Sequence, residues 1–158
     1  MDSEAAEKRI QIEDLLVRYA RLLDERRFPE WIELFTDDAS YSAITRENLQ
    51  DKGLLLFKDD GREALKERAA FVMGYYQAAR FRTLHTVSNI EIGPSSRDET
   101  ACSSYFVIYR SPWNGPPELH ACGEYRDRLV MIGGGWKFRE RLVIVDNGAL
   151  PQNFTELP

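Results

Sequence analysis

The chain lacks the features that would direct it to a membrane, an export pathway or an oxidising compartment. It contains only two cysteines, Cys102 and Cys122, and no apolar run approaches the roughly 20 residues of a membrane span. The opening segment MDSEAAEK does not have the basic-then-apolar layout of a signal peptide. We therefore expect a protein without a membrane segment, located in a bacterial-type cytoplasm or another reducing compartment, with both thiols reduced.

The sequence also lacks a specific catalytic or ligand-binding motif. The net charge is −5 and there is no Lys/Arg-rich run, which argues against nucleic-acid binding. No G-x-S-x-G motif or phosphate-binding loop occurs, and glycines 133–135 stand where a hairpin turn is expected. Structural zinc sites usually have two closely spaced ligand pairs, whereas here only His120 and Cys122 are close. We predict that this chain binds no metal, cofactor or nucleic acid.

Helical periodicity dominates the N-terminal part of the chain. A short second helix begins near Pro29, which suits a first helical turn, and carries Trp31 inward. A strand is expected over residues 39–44. The first helix is predicted over residues 5–26 because one face collects apolar residues, namely Ile12, Leu15, Leu16, Tyr19, Leu22 and Leu23.

The middle of the chain has a less regular pattern. Residues 46–58 show no clean period, so we expect an ordered loop or extended arm with an apolar patch at 54–57. A third helix follows, with Asp60 as the expected N-cap and Glu63 at the third helical position, which is a capping-box arrangement. From residue 82 onward the apolar period becomes two. That period predicts four strands, over residues 83–92, 101–111, 119–131 and 136–145.

This order of elements predicts an α+β fold, because helices that precede a long antiparallel meander pack on one face of the sheet. We expect a single domain over residues 1–158. It has about three N-terminal helices packed on a curved, mostly antiparallel sheet.

A series of short segments, in a fixed order and spacing, carries a family resemblance. In chain order they are LLDER at 22–26, WIELF at 31–35, DDASY at 37–41, RTLHTVSNI at 82–90, SYFVIYR at 104–110, GEYRD at 123–127, and the segment 135–146 that begins GWK. Together they resemble the small (β) subunits of aromatic-ring-hydroxylating dioxygenases. These subunits belong to the NTF2-like or SnoaL-like superfamily and have a cone-shaped fold.

Two further segments bear on the subgroup within that family. TREN at 45–48, followed by GLLL at 53–56, is most similar to small subunits of the benzoate, anthranilate, salicylate or terephthalate type. The Trp and Pro that commonly precede the family's Ser-Arg-Thr-Arg-His stretch are absent, and YQAARF stands at 76–81 instead. This departure indicates a divergent branch.

The resemblance implies a structural subunit without a catalytic site of its own. In such enzymes a larger α subunit carries a Rieske [2Fe–2S] cluster and a mononuclear iron. A reductase supplies electrons from NAD(P)H, and the assembly is often α3β3. The substrate implied is an aromatic carboxylate or a related arene, which the complex dihydroxylates.

Counting possible iron ligands agrees with this expectation. A Rieske centre takes two cysteines and two histidines, and a non-haem oxygenase iron typically takes two histidines and a carboxylate. The chain has only His85 and His120, so one cluster would use every histidine and leave none for a second iron. Neither cysteine stands two residues before a histidine.

The alternative is a free-standing NTF2-like enzyme, such as an isomerase, a dehydratase or a cyclase, with an acid/base pocket around His85. A general acid or base there would be a histidine or aspartate supported by tyrosine. The candidates are Tyr19, Asp24, Tyr41, His85 and His120. A structural histidine that bonds a neighbouring strand is the competing interpretation of His85. A ligand-binding module without turnover is a third possibility.

Arginines on the last two strands predict a subunit interface. Every second residue from His120 to Arg128 is expected on one face of its strand, and residues 137, 139 and 141 are expected on one face of the next strand. A solvated strand face has a similar pattern, but arginine is enriched at interfaces because its planar fork pairs with carboxylates. A tryptophan in the proline-rich turn at 112–117 is a possible anchor. The interface candidates are Arg82, Trp113, Arg126, Arg128, Arg139 and Arg141.

Overall fold

The computed structural model describes residues 3–78, 80–146 and 157–158. Its helices are α1 Ser3–Asp24, α2 Phe28–Ile32, α3 Arg46–Asp51 and α4 Arg62–Ala78. Its strands are β1 Phe35–Thr45, β2 Phe57–Asp60, β3 Phe81–Ser95, β4 Glu99–Pro112, β5 Glu118–Ile132 and β6 Gly135–Val145. The predicted α+β class is confirmed. None of the helices within these ranges is both long enough and apolar enough to cross a membrane.

The strands form one sheet in the order β2-β1-β6-β5-β4-β3. Strands β3 to β6 are an antiparallel meander, and β1 joins it by pairing parallel to β6. The turn between β5 and β6 needs glycine, because Gly133 and Gly134 have φ values of 60° and 80°. Within β5, a Cβ on Gly123 would lie 1.9 Å from the Ile144 carbonyl oxygen, so only glycine fits there.

Helix α1 buries the apolar face that its periodicity predicts, including Ile12, Leu16 and Leu23. Its end is a Schellman motif, in which Arg27 N–H donates to the Leu22 carbonyl and Arg26 N–H to the Leu23 carbonyl.

Arg26 itself adopts the left-handed region, with φ 58°. Its guanidinium stabilises this conformation by donating to the Phe81 carbonyl at 2.5 Å and lying 4.5 Å from the centre of the Tyr76 ring. The end of α1 is thereby tied to the start of β3.

Two sequence predictions for the middle of the chain are wrong. Residues 46–51 form helix α3, whose N-cap Thr45 accepts a hydrogen bond from Asn48 N–H, and this helix is too short to show a period. Asp60 is not the N-cap of the next helix, because it pairs with Ser40 in the short strand β2. Gly61, with φ 85°, turns the chain before α4 begins at Arg62.

The centre of the interior holds a buried ion pair between Asp127 on β5 and Arg141 on β6. The guanidinium Nε and Nη2 donate to the two carboxylate oxygens, each at 2.8 Å, and both side chains are 0% exposed. The guanidinium carbon lies 4.0 Å from the ring centre of Tyr19, 3.9 Å from that of Tyr125 and 4.2 Å from that of Phe138. Burial alone would lower the pKa of Arg141, but the adjacent Asp127 carboxylate raises it above its ordinary value.

The prediction that Arg141 lies at a subunit interface is therefore wrong, and a β-bulge is the reason. Arg128 pairs with Glu140 but the next residue, Leu129, pairs with Phe138, so Arg139 is an extra residue on β6. The extra residue reverses the alternation. Arg139 keeps partial exposure, whereas Arg141 is turned into the core.

Cys102 and Cys122 form no disulfide bond, as the sequence predicts. Cys102 is buried on the inner face of β4, and burial raises the pKa of its thiol to about 12. Cys122 pairs with Val107, a residue on the outer face of the same strand pair. The two sulfur atoms are therefore on opposite sides of the sheet.

Replacement of Arg141 by methionine should lower the free energy of unfolding by about 3–5 kcal/mol, because it leaves the Asp127 charge buried and unpaired. The double variant Arg141→Met/Asp127→Leu should lose much less than the sum of the single variants. Arg128→Met is the matched control, since that arginine forms an exposed pair worth about 1 kcal/mol or less. Urea denaturation measures the free energy of unfolding of Arg141→Met, Asp127→Leu, the double variant and Arg128→Met. Equal losses for Arg141→Met and Arg128→Met would contradict the buried ion pair.

Candidate functional site

Four of the five acid/base candidates meet in the interior between α1 and the sheet. Tyr19 and Asp24 come from α1, Tyr41 comes from β1 and His85 comes from β3. Helical spacing turns Tyr19 to the core, and strand alternation does the same for Tyr41 and His85. Tyr19 contacts Tyr41, and Asp24 contacts His85, through their polar side-chain atoms.

Asp24, the last residue of α1, holds His85 through both backbone and ring. Its carboxylate accepts from the His85 N–H at 3.0 and 3.1 Å, from the ring Nδ1 at 2.6 Å and from the Thr83 hydroxyl at 3.2 Å. The side chain of His85 is 1% exposed and that of Asp24 is 11% exposed. The Asp24 carboxylate, as acceptor, fixes the orientation of the ring.

The other ring nitrogen of His85 faces main chain from the end of the described residues. Nε2 lies 2.9 Å from the carbonyl oxygen of Leu157. Each ring nitrogen of His85 therefore faces an oxygen of the protein itself, Nδ1 the Asp24 carboxylate and Nε2 the Leu157 carbonyl. With both nitrogens engaged, His85 presents none to a substrate or a metal ion.

Tyr19 and Tyr41 form the other half of this cluster. Their hydroxyl oxygens lie 3.2 Å apart, and they lie 2.5 Å and 2.8 Å from the main-chain oxygen of Pro158. Burial raises the pKa of Tyr41 well above its ordinary value and also raises the pKa of Tyr19. Both phenols therefore stay protonated at neutral pH and act as hydrogen-bond donors.

The fifth candidate, His120, is at a second bulge. Leu119 pairs with Tyr109 and Ala121 pairs with Ile108, so His120 is the extra residue on β5. Its side chain is buried, whereas Cys122 lies on the outer side, which corrects the expectation that they share a face. None of the hydrogen bonds described for the four clustered residues involves His120.

The residues do not fit an iron or zinc centre. Within residues 3–78, 80–146 and 157–158, no three His, Cys, Asp or Glu side chains come together in an arrangement that could hold a metal ion. His85 and Asp24 form a close pair, but the bonds described above already engage them.

The predicted interface arginines on the outer face of the sheet are paired within the chain. Arg126 Nε donates to Glu124 at 2.8 Å, and Arg46 donates to the other oxygen of that carboxylate at 3.0 Å. The Arg126 guanidinium lowers the pKa of Glu124, and Arg46 adds to this effect. Arg128 pairs with Glu99 and Glu140, Arg139 lies 4.0 Å from Asp38, and Arg82 is exposed at the start of β3.

An apolar patch on the same outer face is a feature that sequence reasoning found only at Trp113. Leu84 pairs with Tyr109, which in turn pairs with Leu119, and these side chains are 50%, 40% and 62% exposed. We call these residues, with Tyr105 and the 78% exposed Trp113, the outer sheet patch. Contiguous exposed apolar surface of this kind commonly marks a protein–protein contact. The sequence could have revealed this patch if the outward-facing positions of β3 and β4 had been considered separately from the inward-facing ones, because apolar residues recur at them.

Comparison with known proteins places the chain among related sequences and structures. The profile of a SnoaL-like domain matches residues 4–142. The chain is 33% identical over 156 residues to the small oxygenase component of the p-cumate 2,3-dioxygenase system of Pseudomonas putida, covering 94% of this chain and 85% of that protein. It is 27% identical to the terephthalate 1,2-dioxygenase terminal oxygenase component subunit beta 2 of a Comamonas species, covering 87% and 90%.

A solved structure agrees in fold. A β subunit assigned to the aromatic-ring-hydroxylating dioxygenases, from Novosphingobium aromaticivorans, superposes with a TM-score of 0.87 at 23% identity. The match covers 99% of each chain. At this level of identity the similarity shows a shared fold.

Asp24→Ala should lower the free energy of unfolding by about 1–3 kcal/mol, because the buried His85 and Thr83 donors lose their acceptor. Asp14→Ala, at an exposed position of the same helix, is the control and should change it by about 0.5 kcal/mol or less. Chemical denaturation of both variants provides the comparison. Asp24 would not have the assigned role if the two substitutions had the same effect.

Proposed function

Because this chain belongs to the SnoaL-like domain family and, within it, to the small (β) subunits of aromatic-ring-hydroxylating dioxygenases, we propose that it is a non-catalytic structural subunit of such an oxidoreductase. The similarity to the small oxygenase component extends over 94% of the chain at 33% identity, which confirms the family resemblance inferred from the sequence. This single observation carries the proposal. The large α subunit performs the oxygen chemistry.

The closed interior supports a structural role. A general acid or base must reach the proton that it transfers. Here His85 is bonded at both ring nitrogens, and the hydroxyls of Tyr19 and Tyr41 bond to main chain at Pro158. The alternative, a free-standing isomerase, dehydratase or cyclase, requires these groups to face a substrate. It is less favoured for that reason and because the curated relatives are oxygenase subunits.

The cofactors of the proposed complex belong to its other components. The Rieske [2Fe–2S] cluster and the mononuclear iron are held by the α subunit, and a reductase delivers electrons from NAD(P)H. Among residues 3–78, 80–146 and 157–158 no cluster of side chains fits either iron centre, so no step of the reaction is assigned to them. A cytoplasmic location belongs to the same proposal, since reduced nicotinamide cofactors are available there.

The substrate class follows from the relatives. The p-cumate and terephthalate systems are named for aromatic carboxylates, and the relatives also include an anthranilate 1,2-dioxygenase small subunit. We infer an aromatic carboxylate or a related arene as the substrate of the complex. The relatives also include β subunits of benzene 1,2-dioxygenase, whose named substrate has no carboxylate. The α subunit, which holds the iron, makes the selection in this proposal.

The interface of the proposed α3β3 assembly lies on the outer face of the sheet. The outer sheet patch supplies apolar area, and Trp113 is its most exposed member. Arg126, Arg128 and Arg139 lie on the same face and form ion pairs within the chain, and the exposed Arg82 lies at the start of β3, so these arginines provide polar groups for the rim of the interface. An apolar centre with a polar rim is the usual anatomy of a stable interface.

Native mass spectrometry of the protein purified from its source cells tests the subunit role. We expect this chain in a complex with a longer, iron-containing chain, and we expect iron to leave with that longer chain when the complex is dissociated. Turnover of a small organic substrate by this chain alone, lost on His85→Ala or His120→Ala, would overturn the proposal and support the free-standing enzyme.

The variant Leu84→Asp/Tyr109→Asp should prevent assembly with the partner, because it places two charges at the centre of the outer sheet patch. Phe71→Asp is the control, since Phe71 is an even more exposed apolar residue but lies on α4. Size-exclusion chromatography after co-expression with the α subunit should show free small subunit for the double variant and an intact complex for the control. An intact complex with both variants would show that the interface does not include the outer sheet patch.

A further inference from the structure

The loop between α3 and β2 exposes three successive leucines. Leu54, Leu55 and Leu56 are 84%, 42% and 36% exposed. A single exposed leucine is ordinary, but an adjoining run of large apolar side chains commonly marks a contact surface. We call residues 54–56 the leucine arm. The arm lies beside β1 and β2, at the opposite edge of the sheet from the strands that carry the outer sheet patch.

Hydrogen bonds hold the leucine arm in one conformation. The Asn48 carbonyl oxygen accepts from the Gly53 N–H at 2.7 Å, and Asn48 Nδ2 donates to the Leu54 carbonyl at 2.9 Å. At the other end, the Leu56 N–H donates to the Ala43 carbonyl on β1 at 2.7 Å. A Cβ on Gly53 would lie 3.0 Å from the Asn48 side chain, so this close turn favours glycine. The leucines are thus positioned before any contact forms, which reduces the entropy lost on docking.

An apolar groove of about 400 Å³ lies between α2 and α4. Its rim carries the charged residues Glu33, Arg62 and Lys66. A concave apolar site with a charged rim suits apolar side chains from a protein partner. The apolar residues that line the groove are Phe28, Pro29, Ile32, Ala69, Ala70 and Met73.

The leucine arm cannot enter the groove of its own molecule. Leu56 is held at Ala43, whereas Arg62 at the groove rim donates to Asp37 at 2.7 Å. Asp37 and Ala43 are both on β1, and the strand length between them is about 20 Å. The hydrogen bonds at both ends of the arm prevent it from crossing that distance. Two copies of the chain can make the contact, with one supplying the arm and the other the groove.

The charges beside the arm complement those at the groove rim. Asp51 and Lys52, which directly precede the arm, are exposed, and so are Glu33 and Lys66 at the rim. Each side therefore offers one acid and one base, so that docking can place opposite charges next to each other. The ion pairs that Glu33 and Lys66 form within the chain are at the surface, where such pairs are weak and exchange readily.

We propose that the leucine arm of one copy of this chain docks in the α2–α4 groove of the next copy. Because the two surfaces differ, the contact is head-to-tail, and contacts of this kind can close into a ring. The number of three copies in the ring rests on the proposed α3β3 assembly. The contact itself needs no other protein, and it leaves the outer sheet patch free for the larger chain.

Two variants of the full chain, each expressed alone, test the contact. Leu54→Asp places a charge on the most exposed residue of the arm, and Ala70→Arg fills the groove from an exposed position of α4. By native mass spectrometry we expect a trimer for the natural chain and a monomer for each variant. Ile10→Asp and Gln77→Arg are the matched controls, since both positions are exposed and lie outside the arm and the groove lining, and both should remain trimers.

An equimolar mixture of the two variants separates a head-to-tail contact from any other. A Leu54→Asp chain keeps an intact groove and an Ala70→Arg chain keeps an intact arm, so one contact can form between them. We expect a dimer with one chain of each kind, identified by isotope labelling of one variant. High protein concentration is used because a single contact lacks the avidity of a closed ring. A mixture that stays monomeric would overturn the proposal.

These measurements use the chain without the larger subunit, so their outcome does not depend on whether the proposed function is correct. A natural chain that is monomeric, or a trimer that survives both substitutions, would contradict the arm-to-groove contact. If the arm docks on the iron-containing chain instead, Leu54→Asp would release the small subunit from the complex without changing the oligomeric state of the isolated chain. That result would also overturn the proposal.

Discussion

The buried ion pair between Asp127 and Arg141 is the constraint on which the interior depends. The two residues are direct partners across β5 and β6, so a register shift of one residue would turn both charges to the other face of the sheet. Such a pair adds little net stability over apolar packing, but loss of one partner is costly. It therefore selects one register for the hairpin, and with it the positions of every side chain on the inner face of these strands.

The same pair also positions helix α1. The guanidinium lies against the Tyr19 ring, so the aromatic residue that covers the ion pair is the one whose hydroxyl reaches Pro158. The ion pair, the Tyr19 and Tyr41 hydroxyls and the Asp24–His85 pair thus form one polar interior, in which the main-chain oxygens of Leu157 and Pro158 lie within hydrogen-bond distance of His85 and of both hydroxyls. Buried polar networks of this kind are stable when their members are paired. In this chain that pairing engages Tyr19, Tyr41 and His85, the groups that a free-standing enzyme of the same fold would need to present to a substrate.

Inside and outside of the sheet accordingly have different roles. The inner face is closed by helices and by Leu157–Pro158, whereas the outer face presents apolar side chains such as Leu84 and Leu119 to solvent. A chain that seals its own interior and leaves an apolar sheet face exposed has the properties expected of a subunit. In the proposed function this chain supplies surface to an oxygenase, and the partner subunit carries the metal chemistry.

Periodicity and segment order were sufficient to predict the α+β class, the first helix (expected over 5–26 and found at Ser3–Asp24), the four long strands and the family. They also identified Tyr19, Asp24, Tyr41, His85 and His120 as acid/base candidates, of which the structure brings the first four together, because helix and strand spacing turn such residues inward. The sequence analysis missed the capped helix at 46–51 and the position of Asp60 in a strand, since elements this short have no measurable period. The bulges at His120 and Arg139 reversed the predicted faces, because one extra residue changes the side on which every later side chain of that strand lies. The docking of Leu157 on His85, 72 residues away in sequence, was decided only by the tertiary structure, since a hydrogen bond between distant segments leaves no local pattern.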